Sequence, residues 1–286
     1  MDVNRTEEQL NNALKKSKGG KMGGKLLALA GVAVALVGVI LGGNYVLIII
    51  GGVILAVGEA MQGKARSKAS RQAFDAMAPA LIKDTLENAD FSPAEHILRT
   101  EDCNIPLPSH TYCGENGYIR GLYKGLPTEL CTVVLTDVDE VQREETGLWE
   151  RNERVVYTGQ WMACETGKIL TKGMTIWPRN KLLNGRTIKT DNEAFNKRFN
   201  LSCDDEEFVL RFLSQSRMER FMALADSAFS PFAVCLRDDG RLYIAAHSGR
   251  GFFDVGKGRE DPAQLRQRFA GELKWFTDVI DTFRPV

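Results

Sequence analysis

The segment Gly251-Phe-Phe-Asp-Val-Gly-Lys-Gly258 comes closest to a ligand-binding motif in this chain of 286 residues. Its glycine spacing and Lys257 match those of a phosphate-binding loop, whose backbone amides and lysine hold the phosphates of a nucleotide. Such a loop needs Ser or Thr at the following position, and a helix must begin there at once. Gly258 occupies that position, and the next predicted helix begins only at Pro262. The sequence therefore favours a connecting loop, and no cofactor is predicted.

Histidines and carboxylates show no pattern that is typical of catalysis or metal binding. His96 and His110 are isolated, and the adjacent pair His247-Ser248 does not by itself place a base against a nucleophile. The run Asp137-Val-Asp-Glu-Val-Gln142 begins like a calcium-binding loop but lacks the expected glycine and one expected ligand. We therefore predict no catalytic residue and no metal ligand.

Cysteine spacing points in the same direction. The six cysteines form no CxxC pair and no zinc-type spacing, which favours reduced, buried thiols over a disulfide framework or a metal site. They are Cys103, Cys113, Cys131, Cys164, Cys203 and Cys235.

The formal net charge of zero is the sum of two unlike parts. Residues 1–71 hold 10 Lys+Arg and 4 Asp+Glu. Because the whole chain has 37 of each kind, residues 72–286 hold 27 Lys+Arg and 33 Asp+Glu. An acidic main part disfavours a nucleic-acid partner. The basic part suits an anionic lipid surface.

The most apolar part of the chain lies between Lys25 and Glu59, where Asn44 is the only strongly polar side chain. A single helix of that length would measure roughly 50 Å, against about 30 Å of bilayer hydrocarbon. A turn at Gly42, Gly43, Asn44 and Tyr45 removes the mismatch, so the pattern predicts a two-helix transmembrane hairpin over residues 26–60. A cleaved signal peptide and a re-entrant hairpin are the alternatives.

Basic residues flank both ends of the apolar stretch. Because positive flanks stay in the cytosol, both termini and the main domain are predicted to be cytoplasmic, with the lipid bilayer as a partner. The residues expected to contact anionic lipid are Lys15, Lys16, Lys18, Lys21, Lys25, Lys64, Arg66, Lys68 and Arg71.

Small residues recur at helical spacing within the two apolar runs. They allow helix backbones to approach closely, so we expect the two helices to pack against each other, with a homo-oligomer built through the same faces as the alternative. The predicted helix-packing residues are Gly31, Ala35, Gly38, Gly42, Gly52 and Ala56.

The remainder of the chain predicts one α+β domain with an antiparallel sheet. Strands are indicated at 118–124, 129–138, 154–165, 173–178 and 199–203, with a charged loop at 139–152 and a strand or helix at 208–213. Asp239-Gly240 lies between two apolar runs and predicts a tight hairpin. Strands closed by a C-terminal helix resemble the pleckstrin-homology architecture.

Helices are predicted where capping residues precede an apolar helical face. Asp261 and Pro262 open an amphipathic C-terminal helix, Ser216 caps a helix that ends near Asp226, and Ser92-Pro93 starts another. The predicted organisation is a basic N-terminal segment at 1–25, the hairpin at 26–60, a basic linker at 61–73 and the α+β domain at 74–286.

Four short motifs together resemble a bacterial family known as domain of unknown function 3137. They are Gly114-Glu-Asn-Gly-Tyr-Ile-Arg-Gly-Leu-Tyr-Lys-Gly125, Val156-Tyr-Thr-Gly159, Met218-Glu-Arg-Phe221 and Gly240-Arg-Leu-Tyr-Ile-Ala245. The resemblance spans about residues 77–283. It implies a bacterial, membrane-anchored protein, and it carries over no catalytic residue.

Three classes of function follow from these observations. The favoured class is a membrane-tethered binding or scaffolding module at the bacterial inner membrane, with an unidentified protein partner. The alternatives are a structural or assembly subunit of a membrane complex, and an enzyme whose site is assembled from distant residues.

Overall fold

The structure of the protein is a computed structural model that describes residues 22–37, 39–40, 45–142, 149–179, 187–256 and 260–284. The chain divides into two units. Unit 1 comprises Met1–Leu81 and Phe253–Phe269, and unit 2 comprises Ile82–Phe252 and Ala270–Val286. The predicted linker at 61–73 is helical and forms part of the helix Tyr45–Thr85.

Two helices of unit 1 approach each other closely at small residues. Helix α1 covers residues 22–37 and 39–40, and helix α2 covers Tyr45–Thr85. A β-carbon on Gly31 would lie 2.6 Å from the carbonyl oxygen of Gly51, and one on Gly58 would lie 2.7 Å from the backbone nitrogen of Ala28. Only glycine fits at these positions without displacing the opposite backbone.

The predicted transmembrane hairpin is wrong. Among the residues that the structure describes, no helix combines the length and the apolar character needed to cross a bilayer. The two predicted spans were each shorter than the roughly 20 apolar residues that a crossing requires. Helix α2 is longer, but it continues from the apolar run through Glu59, Lys64, Lys68 and Arg71.

Unit 1 also holds a small aromatic cluster. The ring of Phe253 lies 5.5 Å from that of Phe74 and 5.2 Å from that of Phe269. Next to it, Arg268 binds Glu260 and donates to the carbonyl oxygen of Asp254 at 2.9 Å. Edge-to-face rings and a partly buried ion pair fix this part of the chain.

Unit 2 is built on one eight-stranded antiparallel sheet in the order β1-β2-β3-β4-β8-β7-β5-β6. Valine, isoleucine, aromatic and threonine side chains dominate the central strands, as a pleated and buried surface favours. The strands are β1 Glu87–Asp90, β2 Tyr112–Tyr123, β3 Leu126–Gln142, β4 Trp149–Glu165, β5 Met174–Pro178, β6 Phe199–Cys203, β7 Phe232–Leu236 and β8 Arg241–Ala246.

The two faces of this sheet are covered differently. One face, here called the segment face, carries Val133, Trp161 and Tyr243 and packs against Ile97, Leu98 and Ile105 of the irregular segment 91–111. This covering segment contains a single short 3-10 turn at Thr100–Asp102.

The other face, here called the helix face, lies under the helices of unit 2. The ring of Phe232 on β7 lies 4.8 Å from that of Trp275, and Phe199 on β6 lies 4.9 Å from Phe221. The helices after α2 are α3 Glu193–Arg198, α4 Glu206–Phe212, α5 Gln215–Asp226 and α6 Pro262–Phe283, which runs from unit 1 into unit 2 at Phe269.

Side-chain caps explain where these helices begin. Asn192, Asp205 and Ser214 each accept a hydrogen bond from the backbone amide three residues later. Asp261 does the same for Gln264 at 2.9 Å, and the Gln264 side chain accepts from the Asp261 amide at 3.1 Å. These reciprocal bonds form a capping box at the start of α6.

Strands β3 and β4 extend beyond the rest of the sheet as a two-stranded ribbon. Pairing with β2 ends at Thr136, and pairing with β8 begins at Gln160. Among the strands that the structure describes, 137–142 and 149–155 therefore pair only with each other. Trp149 on this ribbon is 68% exposed.

The prediction of an α+β fold with an antiparallel sheet and a C-terminal helix is confirmed. The hairpin at Asp239-Gly240 is also confirmed, with Gly240 at φ 86°. The charged loop predicted at 139–152 is wrong over its described residues, which lie in β3 and β4, and residues 208–213 fall mainly in α4. Residues 92–95 form no helix, because Pro93 and the following residues belong to the covering segment.

We expect Phe276→Ala to lower the free energy of unfolding by about 3–5 kcal/mol, because a fully buried ring would leave a cavity. Phe276 is 0% exposed and lies 5.4 Å from the ring of Phe252. Urea denaturation of the full chain measures the change. Lys274→Ala is the matched control on the same helix, since its side chain is 71% exposed and should change stability by less than about 1 kcal/mol. Equal effects of the two substitutions would contradict the buried position of α6.

Candidate functional site

A buried carboxylate attaches the covering segment to the sheet. Glu129 on β3 is 0% exposed, and its Oε2 accepts hydrogen bonds from the backbone amides of Ile97 and Leu98, both at 2.8 Å. Its Oε1 lies 2.9 Å from His96 Nδ1. An ionised carboxylate is stable in such a place only when its oxygens are saturated with donors, and here three donors converge on it.

The ring of His96 also contacts a second polar group, formed by Tyr118 and Glu115. Because the Glu129 carboxylate accepts, Nδ1 of His96 is the donor and Nε2 faces away from Glu129. The His96 ring stacks on Tyr118 with centroids 3.7 Å apart, and the Tyr118 hydroxyl donates to Glu115. Glu115 also accepts from the Thr100 amide at 2.8 Å. Both acidic groups thus bind backbone amides of the covering segment.

The middle of the covering segment is held by arginines of the β7–β8 hairpin. Arg237 donates to the carbonyl oxygen of Asp102, and Arg241 Nη1 lies 3.1 Å from an Asp102 carboxylate oxygen. The Tyr243 hydroxyl reaches the carbonyl oxygen of Ile97 at 3.3 Å. These contacts hold residues 96–102 of the segment against the sheet.

An apolar cavity of about 430 Å³ lies beside the anchored segment. Four prolines contribute to its wall, and proline has no backbone N–H, so the wall offers few donors. Its lining includes Ile105, Leu107, Tyr157, Trp177, Ala233 and Ala245, with His247 at one side. The volume falls within the range of ligand pockets, about 300–1,000 Å³.

Trp177 on β5 carries the least satisfied polar group of this cavity wall. The residue is 6% exposed, and its indole Nε1 is buried without a hydrogen-bond partner in the described structure. The other described buried atom of this kind is Oε1 of Gln160. A buried donor without an acceptor costs about 1–3 kcal/mol, so a native structure retains one only for a reason.

A second cavity, of about 520 Å³, shares Pro178, Pro231 and Phe232 with the apolar cavity. Its wall carries three cations, which are Arg179, Lys197 and Arg198. None of the described residues that line it is acidic. An apolar cavity and a cationic cavity therefore border the same residues, where β5 ends and β7 begins.

A third cavity, of about 720 Å³, lies on the other side of Trp177 and Pro106. It is lined by charged groups of both signs, including Lys172, Arg237, Asp102 and Asp204. Arg237 and Asp102 already bind each other through the Asp102 carbonyl. Its charges therefore serve in part to hold the covering segment.

Four cysteine thiols of unit 2 are protonated at neutral pH. Burial raises the pKa of Cys103 to about 12 and that of Cys164 to about 11. Burial also raises the pKa values of Cys131 and Cys235. A thiol is a poor nucleophile when it is protonated, so these cysteines act as small apolar residues.

The residues predicted from sequence lie elsewhere. Gly31 and Ala35 contact α2, whereas Gly52 and Ala56 are exposed, and the close positions on α2 are Gly51 and Gly58. Tyr45 begins α2, and Lys25, Lys68 and Arg71 are exposed. The other residues singled out in the sequence lie outside the described residues; they are Gly38, Gly42, Gly43, Asn44, Lys15, Lys16, Lys18, Lys21, Lys257 and Gly258. No described group of three or more His, Cys, Asp or Glu side chains is placed to hold a metal ion.

The comparison with known proteins identifies the second half of the chain. The fold is an antiparallel α+β unit, and residues 155–284 match the family described as "Protein of unknown function (DUF3137)". The resemblance predicted from short motifs is therefore confirmed over that range. Its first motif, Gly114–Gly125, lies before the match. No match was found among the curated proteins or among the solved structures.

Sequence reasoning missed the groups that shape the cavities. Glu129 stands in an apolar strand as an isolated charged residue, and its alternation with Cys131 and Val133 places it on the buried face. This pattern was the one available signal. Trp177 carried no signal, since an aromatic residue in a strand is ordinary.

We expect Glu129→Ala to destabilise unit 2 by about 2–5 kcal/mol, because it leaves the amides of Ile97 and Leu98 buried without acceptors. Glu129→Gln keeps one acceptor oxygen and should cost less. Urea denaturation gives the stabilities, and amide hydrogen exchange should show faster exchange at Ile97 and Leu98 than at strand amides such as Leu242. Unchanged exchange at Ile97 and Leu98 would contradict the anchoring role.

Alkaline pH should weaken the fold. The Cys103 and Cys164 thiols ionise near pH 9.0 in the unfolded chain but only near 12 and 11 in the folded one. Between pH 9 and 11 the unfolded state thus binds fewer protons, so stability is full below pH 9 and falls as pH rises. Urea midpoints at several pH values measure the slope. The double variant Cys103→Ala/Cys164→Ala should show a shallower fall, and an identical slope would contradict the assignment.

Proposed function

We propose that unit 2 is a ligand-binding module and that the apolar cavity beside Trp177 is its binding site. The observation that carries this proposal is the apolar cavity of about 430 Å³ itself, whose wall combines buried side chains of the sheet with four prolines and includes Trp177 and His247.

The physical case rests on two features of the cavity. A ligand that covers its apolar wall removes that wall from water, which is favourable by about 25 cal/mol for each Å² covered. Polar side chains are few in its lining, and His247 would then fix the orientation of the ligand. This combination is typical of pockets for small ligands.

Binding is favoured over nucleophilic catalysis by the surroundings of the histidines. Among the described residues, no hydroxyl or thiol is hydrogen-bonded to the ring of His96 or His247. His96 is bound to Glu129, and the His247 ring lies 4.7 Å from that of Tyr157. The raised pKa values of the buried thiols point in the same direction.

Fluorine NMR of the full chain labelled with fluorotryptophan tests the proposal, because the protein has four tryptophans and hence four resonances. Trp177→Phe identifies the resonance of Trp177. Cyclohexanol serves as the probe, since its apolar ring matches the apolar lining and the molecule is small enough for a cavity of about 430 Å³. We expect a saturable shift of the Trp177 resonance, while the exposed Trp149 changes little.

Filling the cavity should abolish this shift. Ala245→Leu and Ala233→Leu each place a larger side chain in the wall, and Ala223→Leu on the exposed side of α5 is the matched control. Thermal unfolding confirms that each variant folds. A Trp177 resonance that does not respond in the wild type, or that responds equally in Ala245→Leu and Ala233→Leu, would overturn the proposal.

A further inference from the structure

The two cavities that meet at Pro178, Pro231 and Phe232 differ in chemistry, and their junction narrows the class of ligand. We infer that this site takes an anionic amphiphile with a single alkyl chain. Its apolar chain lies in the apolar cavity, and its carboxylate or phosphate head binds in the cationic cavity. The inference rests on the proposed function and adds the ligand's shape and charge.

Shape is set by the junction. The apolar cavity lies mainly on the segment face, with Leu107, Trp177 and Ala245 in its wall, whereas the second cavity is lined by Phe199 and Phe229 below the outer strands. A ligand that fills both must extend past Pro178 and Pro231. An unbranched chain meets this requirement better than a compact ring system.

Charge is set by the three cations of the second cavity. Arg198 binds Asp226 at 2.7 Å, and Lys197 has only a distant contact of 3.6 Å with Glu193. Arg179 donates one N–H to the carbonyl oxygen of Asn196 at 2.9 Å, so it has no acidic partner among its described contacts. Arg179 and Lys197 are thus available to bind an anion, and Arg198 adds positive potential at its side.

The wall of the apolar cavity excludes a second charge. Pro106, Pro108, Pro178 and Pro231 offer no backbone donor, and the amide of His247 is already bound to the Pro231 carbonyl at 2.8 Å. A charged group there would lose its hydration, and the few polar side chains of the lining, such as His247, would offset only part of this loss. The anionic end of the ligand must therefore lie at the arginines and the lysine.

Decanoate, decylammonium and inorganic phosphate are the probes for this inference, used with the full chain below their micelle concentrations. The Trp177 fluorine resonance reports occupancy of the apolar cavity. We expect decanoate to bind at least about tenfold more tightly than decylammonium, and phosphate alone to leave Trp177 unshifted. Added salt should reduce the preference for decanoate and leave cyclohexanol binding unchanged.

Charge variants locate the head group. Arg179→Gln and Lys197→Gln should each weaken decanoate binding about fivefold, with no change for cyclohexanol. Lys274→Gln, an exposed lysine on α6, is the matched control and should bind decanoate normally.

The outcomes separate the two proposals. If cyclohexanol shifts Trp177 but decanoate and decylammonium bind equally, the amphiphile inference fails and the binding module stands. If an N-acetylated apolar tripeptide acid binds more tightly than decanoate, the ligand is a peptide carboxyl terminus and the inference is overturned. If no apolar probe shifts Trp177, both proposals fail.

Discussion

The buried carboxylate of Glu129 is the contact on which the architecture of unit 2 depends. An irregular segment has backbone amides that neither a helix nor a sheet satisfies, and it can cover an apolar face only if those amides find acceptors. Glu129 supplies acceptors to two adjacent amides and to His96, and Glu115 supplies one to Thr100. Without these bonds, water would compete for the segment. The cavities exist because the segment is fixed along only part of the sheet.

Local sequence predicted local structure well in this chain. The capping box at Asp261, the turn at Gly240 and the strand Phe199–Cys203 each depend on a few neighbouring residues, so their patterns sufficed. The same reasoning failed where distant contacts decide. Charged residues such as Glu140 and Arg151 favour a loop by composition, yet cross-strand pairing holds them in strands. The candidate site depends wholly on distant contacts, since Trp177 and Pro231 are brought together only by the order of the strands in the sheet.

The apolar N-terminal run shows how composition can mislead about length. Its residues predicted helices, and helices formed, with glycine at the contact between them. Periodicity did not show that α2 continues into charged sequence, because helix formation depends on propensity and packing rather than on polarity alone. Small residues lie where the two helices approach each other. The register on α2 differed from the predicted one by a single position, from Gly52 to Gly51, and a helix turns by about 100° for each residue.

The β3–β4 ribbon has a consequence for the behaviour of the protein in concentrated solution. Two strand edges that extend past their neighbours offer unpaired amides and carbonyls, onto which another chain can add. Here Arg154 faces Asp137 across the ribbon at 3.6 Å, and Arg151 pairs with Glu153 at 3.0 Å. Charges of both signs along the edges raise the cost of strand addition, because an added chain would have to desolvate them. The ribbon thus extends into solvent, and its own charged side chains protect its edges against self-association.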